Sequence, residues 1–297
     1  MAARSAAAGQ VGLVGQLGPA STLAALAGVK EGRVYDLDST RWHQMPVAPV
    51  HPPFQVLSYR TATGLRNQGD REWPARNTAE VAVISELVMG TIHTGAHIDG
   101  LSHVCCGPEA RWYGGDSAYD SLGDFGALRC DATTIPPIIT RGVLVDIAGH
   151  LGEQALGESH VVTRADVQAA LDSQGVAIRP NDAVLIRTGY MSLWPDMDKA
   201  ARHAGAGIDH EAAVHIAEAG AVLVAGDTEN LEVYPSVDPD NPLPVHVEFL
   251  IERGIHIMEL VDMEELAADR VYQFCFVCLP LPIRGATGSM VRPIAIV

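Results

Sequence analysis

The sequence predicts one mixed α/β domain, and three observations carry that reading. Stretches near residues 79–89, 142–147, 183–188, 221–226, 254–260 and 271–281 show the alternation and apolar content of β-strands. Helical spacing with readable ends recurs between several of them. No internal repeat, low-complexity linker or charge block marks a domain boundary. Many strands with a few interleaved helices point to a mixed sheet, not to a plain doubly wound one.

The helices announce their ends. Thr163 with Asp166 three residues on resembles a capping box, Val167 and Leu171 recur at helical spacing, and Gly175 is a natural stop. Asp209 is placed to cap a second helix that runs to Ala219 and ends at Gly220. A third is expected over 245–253, ended by Gly254. The proline-rich segment 45–54 reads as an ordered loop on the surface.

The N-terminus reads differently. Ser5 to Val29 carries no charge and follows Arg4, which loosely resembles a signal peptide. Gln10, Gln16, Pro19 and several glycines interrupt any apolar core there. Residues 1–21 are therefore expected to form a loosely ordered leader, with a short helix beginning at Thr22 and the domain spanning 22–297.

Composition sets the class. At 297 residues, 47% hydrophobic and 19% charged, the chain is an ordinary globular one. Roughly 75% of the unfolded surface can be buried at that length, so no disulfide or metal is needed merely to hold the fold. Acidic residues outnumber Lys and Arg by 36 to 20, for a formal charge of -16. That field repels polyanions and excludes nucleic acid and anionic membrane surfaces as partners. No stretch is apolar enough to span a bilayer. Five cysteines, odd and sparse, argue for a reducing, cytoplasmic setting. Cys275 and Cys278 have C-x-x-C spacing, but they lie in an apolar strand where residues three apart face opposite sides. Buried small side chains are the expected role.

The segment His93-Thr-Gly-Ala-His97-Ile-Asp99-Gly-Leu-Ser-His103 carries the chemistry. Its ligand-type residues all fall at odd positions, so an extended chain would present them on one face. Gly95 is expected to leave room for close approach of a metal. Two imidazoles and a carboxylate suit Zn, Mn or Fe(II), with positions left open for water or substrate. The plain alternative is a hydrogen-bonded histidine cluster on a surface loop. His103 lies beyond the other three and suits either a general acid/base or a fourth ligand. Downstream, Glu259 shares a strand face with Ile255 and Ile257, where a carboxylate is costly unless paired or bound to a cation. His246 opens the preceding helix. Asp227, at a strand end, is a weaker candidate that would serve equally to organise a loop.

The segment resembles the motif H-x-G-T-H-x-D-x-P-x-H of the cyclase family of metal hydrolases, which includes kynurenine formamidase and isatin hydrolase. The resemblance extends through Gly32-Arg-Val-Tyr-Asp-Leu37, Met45-Pro46, His51-Pro-Pro-Phe54, Arg187-Thr-Gly189, His246 and Glu259, and Leu279-Pro-Leu-Pro to Arg292-Pro293. It implies a compact domain around a barrel-like mixed sheet flanked by helices, usually a homodimer with the active site near the subunit interface. It also implies that His93, His97 and Asp99 bind metal, that His103 shuttles the proton, and that His246 and Glu259 complete a second metal site in some members. The chain departs from the pattern in three places. Ala96 replaces the common Thr, whose hydroxyl would support the ligands, and Leu101 replaces the Pro of kynurenine formamidases. The spacing of thirteen from His246 to Glu259 is one longer than the formamidase pattern.

The expected activity is hydrolysis of a small amide, lactam or lactone with Zn or Mn. The rival readings are a non-haem Fe(II) oxygenase built on His97, Asp99 and His246, and a silent small-molecule-binding member of the family.

Overall fold

Four largely buried parallel strands form the centre of the sheet. The computed structural model describes residues 10–69 and 76–297. Among them, the main sheet has nine strands: β1 (Val34–Asp36), β2 (His97–Asp99), β3 (Ile138–Asp146), β4 (Ala183–Arg187), β5 (Leu223–Gly226), β6 (His256–Glu259), β7 (Gln273–Cys278), β8 (Gly288–Met290) and β9 (Ile294–Ile296). Their order is β1-β9-β7-β3-β4-β5-β6-β2-β8. Strands β3 to β6 pair in parallel, and the strands on either side are antiparallel. The sheet is a mixed half-barrel, flanked by helices, that leaves β1 and β8 as its edges.

Period two along the central strands feeds two separate cores. Val143, Val145, Val184, Ile186, Val224 and Ile257 face a cluster shared with the helices. Leu144, Leu185, Leu223, Ala225 and Met258 face another, with Tyr35, Ile98, Phe274 and Phe276. Burial on both faces explains why these strands carry apolar residues at both odd and even positions.

The helices largely follow the expected ends. α1 spans Pro19–Ala27 and α2 Arg164–Gln174, the latter opened by a reciprocal Thr163–Asp166 box and closed at Gly175. α3 spans His210–Glu218, with Asp209 accepting from the Ala212 amide at 2.8 Å. α4 begins as the α-helical turn Pro244–His246 and continues as the π-helix Val247–Arg253. Gly254 ends it at φ 66°, in the left-handed region that favours glycine. No helix among the described residues is long and apolar enough to cross a membrane.

Two expectations change, and three strands are new. Of the expected leader, residues 1–9 lie outside the described residues, while the part from Gln10 on sits against the core instead of lying loose. Val14 is fully buried, and the Leu13 amide donates to the Gly254 carbonyl at 2.7 Å. Val11, Leu13, Val14 and Leu17 supply enough apolar contact to seat the segment despite its glycines. The strand expected over 79–89 shrinks to Ser85–Met89, which pairs antiparallel with Gln55–Arg60 in a separate two-stranded arm. The short strands β1, β8 and β9 escaped notice because three residues cannot display a period.

Candidate metal centre

Strand register brings the first groups together. In the antiparallel pair of β6 and β2, Glu259 stands opposite His97 and Met258 opposite Ile98. Opposed residues share a face, and the His97 Nε2 to Glu259 Oε2 distance is 3.3 Å. Asp99 lies two residues further along the same face, its Oδ1 3.7 Å from His97 Nε2. The start of α4 delivers His246, with Nε2 3.3 Å from Glu259 Oε1 and 3.9 Å from Asp99 Oδ2. Ahead of β2, His93 places Nδ1 2.8 Å from Asp99 Oδ1. Behind it, His103 Nε2 lies 4.0 Å from the same oxygen, and its ring stacks on His93 with centroids 3.9 Å apart. Six of the seven candidates from the sequence, all but Asp227, therefore meet at one point, beside the carboxyl ends of the parallel strands, where open α/β sheets bind ligands.

The local geometry differs from the extended segment expected. Only His97–Asp99 is a strand. Gly95 turns the chain at φ 58°, and the His103 amide closes a turn on the Gly100 carbonyl at 2.9 Å. Gly95 also leaves no room for a metal. A Cβ there would lie 3.1 Å from Ser39 Oγ and 3.2 Å from Arg41 Nε. The room is for Arg41, whose guanidinium donates to the carbonyls of Thr94, Ala96 and Val291 and so holds the loop against β8. Ala96 packs into the apolar cluster with Ile98, so a hydroxyl there would face away from the ligands.

The donors fit a cation better than they fit one another. Each of three histidines has one ring nitrogen tied and the other turned inward. His97 Nδ1 is 2.8 Å from the Gly95 carbonyl, His246 Nδ1 bonds Glu232 Oε1, and His93 Nε2 is 3.2 Å from Thr287 Oγ1. That pattern fixes the tautomer of metal-binding histidines. Asp99 is fully buried, yet neither carboxylate oxygen has a hydrogen bond, and His93 Nδ1 also lacks one. The 2.8 Å approach of Asp99 Oδ1 and His93 Nδ1 is close contact without hydrogen-bond alignment. A buried carboxylate left so costs several kcal/mol. A divalent ion would satisfy it. The sets His93, His97, Asp99 and Asp99, His246, Glu259 each bring their ligating atoms within 4.8 Å of one another, and they share Asp99.

Without a cation, the acids and imidazoles of the cluster compensate one another's charge. Burial works to raise Asp99, but the His103, His93 and His97 rings hold its carboxyl well below the usual range. Burial works to lower His246, and Glu232 and Glu259 outweigh it, pushing the ring up to about 10. In His103 burial wins over the Asp99 charge and pushes the ring down to about 4, leaving a neutral base at neutral pH.

Comparison with known proteins now places the chain. The family model "Putative cyclase" matches residues 35–233. The chain belongs to the cyclase family. A solved structure described as a novel cyclase is 27% identical, with TM-score 0.84, covering 97% of this chain and 96% of that one. Isatin hydrolase A from Ralstonia solanacearum shares the fold at 20% identity and TM-score 0.66, covering 94% and 95%. A predicted metal-dependent hydrolase from Bacillus stearothermophilus does so at 17% and 0.52, covering 89% and 97%. No curated protein matches this chain in sequence.

In this cyclase-family protein a cleft of about 110 Å³ opens onto the cluster, walled by Val47, Val50, Val104 and Leu243 and by Glu229 and Asn230. His51 roofs it, its ring parallel to His93 within 9° at 5.0 Å. A larger hollow of about 300 Å³ lies against the two-stranded arm, away from these groups, and none of the candidate ligand sets lines it. Chemistry, not size, locates the site.

Sequence reasoning missed Glu232, Thr287, Arg41 and Glu229, and it used His51 only for the resemblance. Thr287 also fell in a segment that resembles the family. Glu232 had no pattern to betray it, because it meets His246 only after a loop folds back. Asp227 takes its humbler role. Its oxygens accept from the Thr188 amide and hydroxyl and from the Gly189 amide, all within 3.1 Å, and so organise a loop. Cys275 and Cys278 are buried free thiols, as expected.

Proposed function

We propose that this cyclase-family protein is a metal-dependent hydrolase of a small amide, lactam or lactone. His93, His97, Asp99, His246 and Glu259 would hold Zn or Mn, and His103 would carry the proton. The observation that supports this best is Asp99, buried with both oxygens unpaired among inward-facing imidazole nitrogens. The fold is shared with isatin hydrolases, one of them bound to the product analogue thioisatinate, and with a potential metal-dependent hydrolase with cyclase activity.

A divalent ion in such a site supplies Lewis acidity, polarising a carbonyl and lowering the pKa of water. The chain supplies the rest. Glu232 and Thr287 hold the His246 and His93 rings in place. His103 Nε2 has no protein hydrogen bond among the described residues, so it is free to take the proton of the attacking water. Water oxygen adds to the carbonyl carbon, the bond to nitrogen or oxygen breaks, and His103 returns the proton to that leaving atom. The apolar walls of the cleft suit a small substrate, and its volume lies well below the roughly 300–1,000 Å³ of pockets for drug-sized ligands. Exposed Tyr59, Val88 and Met89 on the arm support the proposed homodimer, which light scattering would test. The sparse cysteines support a cytoplasmic setting.

The deciding experiment is elemental analysis of protein purified without chelator, followed by anaerobic assay on isatin and an N-formyl arylamine with Zn or Mn. Oxygen-18 from water should enter the carboxylate product. Activity only with iron and O₂ would make the protein an oxygenase instead, and metal without turnover on any amide or lactone would favour the silent binder.

A further inference from the structure

Glu229 is the acidic side chain of the cleft that takes no part in the ligand cluster. It follows β5 in Ala225-Gly-Asp-Thr-Glu229-Asn, and its Oε1 accepts from the Tyr190 hydroxyl at 2.7 Å. Tyr190 cannot swing to follow a ligand. It is 1% exposed and packed with Met191 and Leu260. The two residues belong to two loops that Asp227 ties together through Thr188 and Gly189. The Glu229 carboxylate is therefore aimed by a rigid frame.

Its second oxygen, Oε2, has no protein partner among the described residues, and the side chain lines the same cleft as His97, His246 and Glu259. Val47, Val50, Val104 and Leu243 make the other walls largely apolar, and Asn230 and His51 are the remaining polar side chains outside the ligand cluster and His103. A carboxylate accepts hydrogen bonds and donates none. A small molecule in a cleft of about 110 Å³ cannot keep its polar atoms far from such a group.

We propose that Glu229 reads an amide N–H on the substrate, so that the site selects N–H amides and lactams over N-alkylated ones and lactones. This narrows the hydrolytic reading above and rests on it for the reaction, though not for recognition. Burial pushes the Glu229 carboxyl up, and the Tyr190 hydroxyl holds it down. A substrate N–H is a second donor to the charged form and works with Tyr190 against the burial. A hydrogen bond to a charged group contributes about 1.5–3 kcal/mol, which is a preference of about 10- to 100-fold.

The test is equilibrium binding, by calorimetry on the metal-loaded protein with mass spectrometry to confirm that neither ligand is hydrolysed, of oxindole against N-methyloxindole, two lactams that differ only in the substituent on nitrogen. The wild type should bind oxindole about 10- to 100-fold more tightly. Glu229→Gln keeps the shape and the Tyr190 contact but turns an N–H₂ toward the cleft, so the ratio should fall to near one. Tyr190→Phe, which frees the carboxylate without removing it, should lower the ratio several-fold. Equal binding of the pair by the wild type, or absence of binding to both, overturns the proposal. So does an unchanged ratio in Glu229→Gln, which would mean that the methyl group is excluded by shape. A Glu229-dependent ratio in a protein that hydrolyses no amide would uphold this recognition and overturn the hydrolytic reading alone.

Discussion

Glu232→Gln separates a residue that shapes the metal centre from one that merely caps a helix. Glu232 is 1% exposed and accepts from the Val245 and His246 amides, each at 3.1 Å, and from His246 Nδ1. The glutamine fills the same space but loses the charge, and its N–H₂ must face at least one of these donors. A hydrogen bond to a charged group contributes about 1.5–3 kcal/mol, so the metal-free protein should lose about that much stability. If the carboxylate also aims His246, metal affinity should fall about 10- to 100-fold, the usual effect of removing such a partner. The two effects can be read apart. With free metal at about 100 times the wild-type Kd, binding stabilises the wild type by about 2.7 kcal/mol. A variant with 100-fold weaker affinity gains only about 0.4 kcal/mol at the same concentration. At roughly 2 °C per kcal/mol, the metal-dependent rise in Tm should shrink from about 5 °C to about 1 °C. Chelator competition gives the affinity directly. A variant that melts lower without metal but binds metal as tightly as the wild type would refute the aiming role and leave Glu232 as a helix cap.

His97→Ala should abolish the metal that elemental analysis finds in the wild type, while far-ultraviolet circular dichroism stays native. His103→Ala should keep the metal and lose on the order of 10²–10⁴ in turnover, the usual weight of general acid–base catalysis; loss of metal would make His103 a ligand. Burial raises Asp227 from 3.8 to about 6, although the Thr188 donors oppose it. A raised carboxyl contributes stability that is full below the unfolded pKa and is lost as pH rises through the folded one. The stability of the wild type relative to Asp227→Asn should therefore fall by roughly 1 kcal/mol between pH 5 and pH 7. Denaturant titrations at the two pH values check it, and a change of opposite sign sinks the argument.

The fold was legible where one physical pattern ran long enough to see. The parallel strands β3 to β6 announced themselves by alternation and apolar content, and α2 and α3 by caps at both ends. The short antiparallel strands at both edges did not, since tertiary pairing alone makes them strands. The seated segment around Val14 was hidden by composition, because its glycines read as looseness. One of them, Gly12, adopts φ 68° and lies so close to Gly254 that a Cβ would sit 2.3 Å from that carbonyl oxygen. Of the site, the residue types and their grouping were legible, and the geometry was not. Register between β2 and β6 put Glu259 opposite His97, which no spacing in the sequence could specify. The turn at Gly95 did what an extended chain was expected to do.

Local rules fail in this chain mainly where the cluster is built. A buried carboxylate is left without hydrogen bonds from the protein, four imidazoles crowd two acids, and α4 carries a π-helix just beyond His246. Each costs stability, and π-helical turns often mark functional sites. The surroundings make the arrangement tolerable. Arg41 pins the loop ahead of β2 by three carbonyls, and His256 bonds the Asp99 carbonyl through Nδ1 at 2.7 Å from the neighbouring strand. Asp227 ties down the loops beyond β4 and β5. With the frame so constrained, Asp99 has little freedom to turn aside toward another protein donor. Its unpaired oxygens are thus imposed by the fold and not an accident of one side-chain rotamer, which is what a preorganised cation site requires.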